Sequence, residues 1–381
     1  LKNQNELMLY VHWPFCARKC RYCDFLSGPP DSPGQISAYR DALIAEIKKE
    51  DNHAGDRITS VYFGGGTPSL VPVEDTEAVM DALRRRYDFD AADEAIECTI
   101  EVNPGAVTKE KLKAYRKMGF NRLSIGCQST NDRLLKTLGR VHTHRDFLDT
   151  ATDAVAAGFS NISVDLMIGL PGQTMGDVKT AVREVTALPG VRHLSCYSLI
   201  IEEGTPFAEQ FARGELILPD EDTERDMAHG VTEEAKRQGF AQYEISNYAR
   251  AGFESRHNNG YWRLASYRGF GAGAASFDGA RLRRFANAAS VSGYIRGAAL
   301  SEDRLLSEDE ARGDFMFLGL RRLAGVDEGE YRARFGRDLF DDYAGEIDEL
   351  LKAGLIIRGA KGIRLSQKGL DFANRVFMAF V

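Results

Sequence analysis

A chain of 381 residues has the length for two or three domains and needs no disulfide or metal staple to fold. Its 43% apolar and 28% charged residues are an ordinary soluble balance, and a formal charge of −7 argues against nucleic acid as a general partner. No apolar run approaches the roughly 20 residues that cross a bilayer, and no basic stretch leads into an apolar core as in a signal peptide, so a cytoplasmic location is expected.

The first predicted strand, 7–13, runs into a loop that reads Pro14-Phe15-Cys16-Ala17-Arg18-Lys19-Cys20-Arg21-Tyr22-Cys23-Asp24-Phe25. Half of the six cysteines lie in these few positions, while Cys98, Cys127 and Cys196 are scattered singly. A disulfide framework would spread its cysteines, so the cluster points to metal and the scatter to core packing. Two centres suit three thiolates at this spacing: an iron–sulfur cluster, or zinc completed by His12 or a remote ligand. No fourth Cys or His follows closely, so a distant residue completes the site or one position stays open. Pro14 and the aromatic rings of Phe15, Tyr22 and Phe25 suit a shielded pocket and favour the cluster.

Further strands are predicted over 60–63, 97–102, 122–126, 161–168 and 193–199. Helical spacing of apolar residues covers 36–49, 76–87, 109–118, 146–157 and 177–188. Asp146 and Thr174 read as N-caps, and Gly119 and Gly158 as helix-ending glycines. This alternation predicts parallel β/α units, about six before residue 240, hence an incomplete barrel or an open parallel sheet.

Polar residues mark the ends of these strands. The second runs into Gly64-Gly65-Gly66-Thr67-Pro68, whose glycines let a backbone pass close to a ligand. Glu101 closes the third strand and Gln128 the fourth, and Asp165 lies within the fifth. A carboxylate in an apolar strand is costly unless paired or solvated at a site, and ligands gather at the carboxyl ends of parallel strands. Cys127 and Gln128 are neighbours, so they face opposite sides of their strand. Cys127, Cys98 and Cys196 are therefore expected in the core.

After Tyr243 the pattern changes. Residues 243–300 are rich in Gly, Asn, Arg and aromatics and read as loops and short strands. Helical periodicity returns over 308–323, 328–335 and 341–352, followed by strands at 355–358 and 363–365. Three helices and a β-ribbon form a winged-helix-like signature, yet 301–381 holds 13 Lys and Arg against 16 Asp and Glu. A packing or partner-docking module is expected there in place of a DNA-binding one. The apolar end, 376–381, is too short to do more than touch a membrane and is expected to pack on the core.

Cys16-x3-Cys20-x2-Cys23 after a first strand, with an aromatic residue before the third cysteine, resembles the signature of the radical S-adenosylmethionine (SAM) superfamily. That resemblance implies a [4Fe–4S] cluster on Cys16, Cys20 and Cys23, with SAM on the fourth iron. It extends over nearly the whole chain to the oxygen-independent coproporphyrinogen oxidase family of porphyrin metabolism, through Phe63–Ser69, Glu101–Gly105, Asn121–Ser129, Leu138–His142, Val164–Gly172, Tyr197–Phe207 and Arg256–Trp262. The fold so implied is an α/β incomplete (β/α)6 TIM-like barrel over 1–242. A connecting segment, 243–300, completes the site, and a C-terminal helical winged-helix-like domain spans 301–381. By the same resemblance Tyr10, Gly65, Gly66, Thr67, Glu101, Gln128, Arg140 and Asp165 fall where SAM contacts are expected. Tyr22, Leu199 and Ala275 join them through backbone or ring faces.

Two departures point to the heme chaperone branch of that family. The decarboxylating enzymes carry a further cysteine where this chain has Phe25, and a longer segment before the cluster. The chaperone branch also carries a His-Asn-x-x-Tyr-Trp motif, here His257-Asn258-Asn259-Gly260-Tyr261-Trp262, which makes His257 a candidate heme ligand. This resemblance implies heme as cargo and apo-hemoproteins as partners, with a transient membrane or respiratory-complex association and a homodimer as further expectations. The competing expectation is a radical SAM oxidoreductase that acts on coproporphyrinogen III or another substrate through a 5′-deoxyadenosyl radical.

Overall fold

The computed structural model describes residues 6–50, 56–91, 93 and 95–381. Strands and helices alternate through its first half as β1 (Glu6–Trp13), α1 (Gln35–Lys49), β2 (Arg57–Gly65), α2 (Val73–Tyr87), β3 (Glu97–Val102), α3 (Lys109–Lys117) and β4 (Arg122–Gln128). Two helices follow, α4 (Asp132–Leu138) and α5 (His144–Ala156), then β5 (Ile162–Ile168), α6 (Met175–Ala187) and β6 (Val191–Ser198). From β1 to β6 each strand pairs in parallel with the next.

The strands are two-faced. Leu9, Val11, Val61, Phe63, Cys98, Ile100, Leu123, Ile125, Cys127, Val164, Leu194 and Cys196 alternate along them and pack against the helices in the main core. All three scattered cysteines are therefore core residues. The other face is polar, with Tyr10, Ser60, Tyr62, Thr99, Glu101, Ser124, Ser163, Asp165, His193 and Ser195. Parallel barrels ordinarily fill that side with Val, Ile and Leu, so a polar one signals a ligand-binding interior. Side chains of this face bond one another from strand to strand, Tyr62 of β2 to Glu101 of β3 at 2.7 Å and Ser124 of β4 to Asp165 of β5 at 3.2 Å.

Next come α7 (Pro206–Ala212), α8 (Glu221–Arg237), β7 (Ala241–Glu244), β8 (Asn247–Ala249), α9 (Arg256–Trp262), β9 (Ser266–Phe270), β10 (Ala275–Asp278), β11 (Arg283–Ala286), α10 (Val291–Ile295) and β12 (Glu302–Leu305). β9 lies parallel to β1, and the other additions are antiparallel, so 12 strands share one sheet in the order β12-β11-β10-β9-β1-β2-β3-β4-β5-β6-β8-β7. Among the described residues this sheet is open, with β12 and β7 as its edges.

The remainder holds α11 (Glu308–Gly319), β13 (Val326–Asp327), α12 (Glu328–Phe335), α13 (Leu339–Asp342), α14 (Ala344–Lys352), β14 (Ile356–Arg358), β15 (Gly362–Leu365), α15 (Gln367–Asp371) and α16 (Ala373–Phe377), with the strands ordered β13-β15-β14. These elements build a second core that takes in Val376, Phe377 and Phe380, so the apolar end packs inward. No described helix is long and apolar enough to cross a membrane.

The six predicted parallel strands all form. Asp146 is a correction: Thr143 is the N-cap of α5, and Asp146 sits three residues on, its carboxylate accepting from the Thr143 amide at 2.8 Å in a capping box. Thr174 caps α6 in the same way. Gly119 and Gly158 end their helices with φ of 91° and 96°. Helices α4, α7, α8, α9, α10, α15 and α16 are not predicted from the sequence, and α9 and α10 occupy what reads as loop.

Candidate functional site

The cysteine loop is closed at its base by Cys16 N–H donating to Gly28 O (2.9 Å) and Gly28 N–H to Pro14 O (3.0 Å). His12 fastens it further. Its Nε2 donates to Leu26 O at 2.9 Å, so its Nδ1 is the acceptor for the Tyr10 hydroxyl at 2.9 Å. With both ring nitrogens used, His12 is unavailable to a metal. Among the described residues no three His, Cys, Asp or Glu side chains converge to hold one metal ion. A zinc site would therefore need a remote fourth ligand in place of His12.

All three loop cysteines are free and half-buried. Burial raises the Cys23 thiol, and the neighbouring Cys20 and Cys16 raise it further. Two of the sulfurs receive donors from the strand ends. Thr67 Oγ1 donates to Cys16 Sγ (3.6 Å) and accepts from Asn103 Nδ2 (2.8 Å). Arg140 Nη1 donates to Cys20 Sγ (3.6 Å), while its Nη2 donates to Asn103 Oδ1 and to Gly126 O, both at 2.7 Å. Cys16, Thr67, Asn103, Arg140 and Cys20 thus form one chain of contacts across the ends of β2, β3 and β4. Donors aimed at thiolate sulfur stabilise its charge, so these residues fit a thiolate-held cluster with one position left over.

The glycine triplet is consumed by this packing. Gly65 has φ of 110°, and a Cβ on it would lie 2.6 Å from the His12 ring. A Cβ on Gly66 would lie 2.8 Å from Phe15 O and 3.0 Å from Cys16 Sγ. The Gly66 and Thr67 amides donate to Trp13 O (2.7 Å) and Phe15 O (2.8 Å), so the segment is zipped to the cysteine loop. Glu101 takes the Tyr62 hydroxyl (2.7 Å) and the Gly65 amide (3.2 Å). Burial pushes its carboxyl up to about 7, with the hydrogen bond from Tyr62 pulling the other way. Asp165 accepts from Ser124 Oγ at 3.2 Å and is likewise raised by burial. Gln128 ends β4 at φ of 66°, a left-handed conformation that a side chain adopts at a cost.

Tyr22 and Leu199 lie together in a small satellite core with Leu134, Leu138, Met167, Leu170, Phe207 and Leu216. Ala275 opens β10 two residues after Gly273, whose added Cβ would lie 3.1 Å from Leu26 of the cysteine loop.

His257 stands elsewhere. It is buried, its Nδ1 bonds Ser60 Oγ (2.8 Å) and its Nε2 bonds Tyr261 OH (3.0 Å). Burial, helped by the Arg122 charge, lowers it to about 3. Glu97, at the start of β3, accepts from the backbone amides of Arg256 (3.0 Å) and His257 (3.1 Å) and so holds the first turn of α9. Gly260 lies against Met8, near the start of β1. The His-Asn-x-x-Tyr-Trp motif thus plugs the amino ends of the strands, opposite the cysteine loop. Both nitrogens of its histidine meet hydroxyl groups, so a heme iron on His257 would displace Ser60 or Tyr261.

Sequence reasoning also misses Asn103, Tyr62 and Arg122. The first was legible, because a two-residue step from Glu101 keeps Asn103 on the same strand face. Arg122 is fully buried on the inner face, and its charge acts on Glu101, Asp165 and His257.

Residues 10–185 match the radical SAM superfamily, and 306–372 match the HemN C-terminal domain. The chain is 35% identical over 379 residues to the heme chaperone HemW of Lactococcus lactis subsp. lactis (strain IL1403), spanning 98% of this chain and 96% of that one. It is 35% identical over 382 residues to heme chaperone HemW of Bacillus subtilis (strain 168), and 31% over 380 to that of Escherichia coli (strain K12), each match covering 98% of both chains. Coproporphyrinogen III oxidase (HemN) from Escherichia coli, described as a radical SAM enzyme, superposes with a TM-score of 0.83 at 23% identity, over 99% of this chain and 90% of that one. That likeness establishes the fold.

Proposed function

The chain belongs to the heme chaperone HemW family, and from that premise we propose that it holds a [4Fe–4S] cluster on Cys16, Cys20 and Cys23 beside SAM and carries heme to apo-hemoproteins. The observation that carries the cofactor half is the contact chain from Cys16 through Thr67, Asn103 and Arg140 to Cys20. The heme half rests on the family.

A [4Fe–4S] cluster and SAM, when bound, would supply one-electron chemistry. The protein's own part is positional. Thr67 and Arg140 donate to Cys16 Sγ and Cys20 Sγ, two of the sulfurs that would hold the cluster, and His12 keeps the loop closed. Gly65, Gly66, Thr67, Glu101, Gln128, Arg140 and Asp165 line the strand ends for SAM, with Tyr10, Tyr22, Leu199 and Ala275 beside them. In fold terms we read β1 to β6 as the incomplete (β/α)6 barrel over 1–242. On this reading 243–300 widens its sheet, and 301–381 is a winged-helix-like module.

The intact set of inward polar groups, Glu101 and Asp165 foremost, favours a second reading as an oxidoreductase. One experiment separates the two. The cluster is reconstituted anaerobically, and heme binding, transfer to an apo-hemoprotein, 5′-deoxyadenosine formation and coproporphyrinogen loss are assayed in parallel. Saturable heme binding with transfer and without porphyrinogen turnover is expected. Turnover of coproporphyrinogen would sink the chaperone reading.

A further inference from the structure

Arg122 opens β4 on the inner face of the sheet, with only 2% of its surface exposed. Its Nε is sealed from solvent without an acceptor, and the side chain forms no hydrogen bond or ion pair with any described residue. A buried cation without a bonded partner is costly, so a fold that keeps one must set negative charge within its reach.

The strands on either side supply that charge. Arg122 pairs with Thr99 of β3, and the next inward step along both strands brings Ser124 beside Glu101. Ser124 in turn donates to Asp165 of β5 at 3.2 Å. The guanidinium therefore starts one step below a serine that stands between two carboxylates. Burial raises both carboxyls, and the Arg122 charge opposes it by favouring the ionised form of each. The other titrating groups around Glu101 are Tyr10, Tyr62, Tyr197 and Asp165, and none of them is a cation. Asp165 adds Cys127 and Arg140, the latter acting on it more weakly than Arg122 does. His193, His257 and Tyr243 lie within reach of the guanidinium, and burial keeps all three neutral.

Even with this help Glu101 stands at about 7. The inner face is thus at the edge of losing its negative charge near neutral pH, and SAM, with a sulfonium and an ammonium group, is a cation. We propose that Arg122 is the shared counter-ion of Glu101 and Asp165, a positioning residue that keeps both carboxylates negative for a cationic ligand at the strand ends. The inference rests on the reading of those ends as the SAM site and adds how they hold their charge.

Two measurements on Arg122→Gln test it. The first is SAM binding to the reconstituted full chain by equilibrium dialysis from pH 6.5 to 9, read as the ratio of variant to wild type so that SAM's own titration cancels. An opposite charge moves a carboxyl's midpoint by about one pH step or more, so its loss cuts the ionised share of Glu101 near pH 7.5 by a factor of about three or more. SAM binds the variant more weakly by that factor, the gap widens toward pH 6.5 and narrows toward pH 9, and Arg122→Lys restores most of the affinity. A ratio that is flat across the range overturns the proposal, since a packing role weakens binding alike at every pH.

The second measurement needs no SAM. Above pH 7 wild-type Glu101 has largely ionised, whereas the variant's carboxyl keeps its proton longer than the unfolded chain does. Denaturant midpoints of the variant therefore go on falling relative to wild type from pH 7 to 9, a window in which the histidines are already neutral in both states. A constant difference over that window overturns the counter-ion. Where Arg122→Gln alone does not fold, Arg122→Gln/Glu101→Gln removes cation and anion together: recovery of the fold supports the pairing, and its absence overturns it. Lack of saturable SAM binding by the wild type overturns the reading of the strand ends, and the midpoints without SAM then decide the counter-ion by themselves.

Discussion

Arg140 and Asn103 meet across the ends of β4 and β3, the guanidinium Nη2 donating to the amide Oδ1 over 2.7 Å. The same amide gives its Nδ2 to Thr67, so one side chain sets the donors that reach Cys16 and Cys20. Asn103→Ala strands a guanidinium N–H and a hydroxyl acceptor in a part-buried site, at about 1 to 3 kcal/mol for each group left unpaired. The expected result is a lower denaturation midpoint and less iron per chain after reconstitution. Asn103→Asp keeps the acceptor for Arg140 and loses the donor to Thr67, so it falls between the two. Iron content equal to wild type in Asn103→Ala would remove this residue from the cofactor site.

Gly66→Ala tests the zipper between the glycine triplet and the cysteine loop. The added methyl meets the backbone of Phe15 at 2.8 Å and Cys16 Sγ at 3.0 Å, and neither can yield without moving the loop. Overpacking of this kind costs about 1 to 3 kcal/mol. The cost falls on Cys16, a proposed cluster ligand, so iron retention is expected to drop more than the melting midpoint does. Gly28→Ala, in the same loop with open space around it, is the control expected to change neither.

The parallel strands and the gathering of Cys16, Cys20 and Cys23 in one loop are legible in the sequence because they follow from local pattern: period-two burial, helical spacing, and three thiols within eight residues. The end of β4 shows the limit. Gln128 is legible as a strand-end polar residue, but its left-handed backbone depends on β4 slipping register against β5. His257 shows a stronger limit. Its motif suggests a ligand, yet Ser60, Tyr261 and Glu97 meet it only after β2, β3 and α9 have packed. Chemistry of residue type was readable there, and its hydrogen-bond partners were not. Asp146 differs from both, since Thr143 and Asp146 together spell a capping box that the sequence displays openly.

Buried neutral histidines should make the protein acid-labile. Burial lowers His257 to about 3 and His142 to about 4, and holds His193 well below its usual range. In the unfolded chain each titrates near 6.5, so below that pH the unfolded state takes up protons that the folded state refuses. Their contribution is whole above about pH 6.5 and is lost as pH falls toward 4 and then 3. His257→Asn keeps a polar side chain that can still face Ser60 and removes one of the three. Denaturant midpoints measured from pH 7.5 to 4.5 should decline less steeply in that variant, and an unchanged slope would mean His257 is protonated in the fold.

Glu101 acts in the opposite direction over part of the same range. Its carboxyl is raised to about 7 by burial, against an ordinary value of 4.5. Below about pH 4.5 both folded and unfolded forms carry the proton, and the group is neutral to stability. Between 4.5 and 7 the unfolded chain ionises first, so stability falls as pH rises. Each pH step of one across that range costs about 1.4 kcal/mol, which caps the loss at about 3 kcal/mol. Above 7 the loss is constant. Glu101→Gln removes it while keeping an acceptor for the Tyr62 hydroxyl, so the variant should be the more stable one above pH 7. It should also show a steeper acid decline than wild type, because Glu101 no longer offsets the histidines between 6.5 and 4.5. Denaturant midpoints of both proteins without SAM, compared at pH 5 and 8, check this: a variant less stable than wild type at pH 8 would mean that the ionised carboxylate is held favourably, with Tyr62 and the Gly65 amide outweighing its burial.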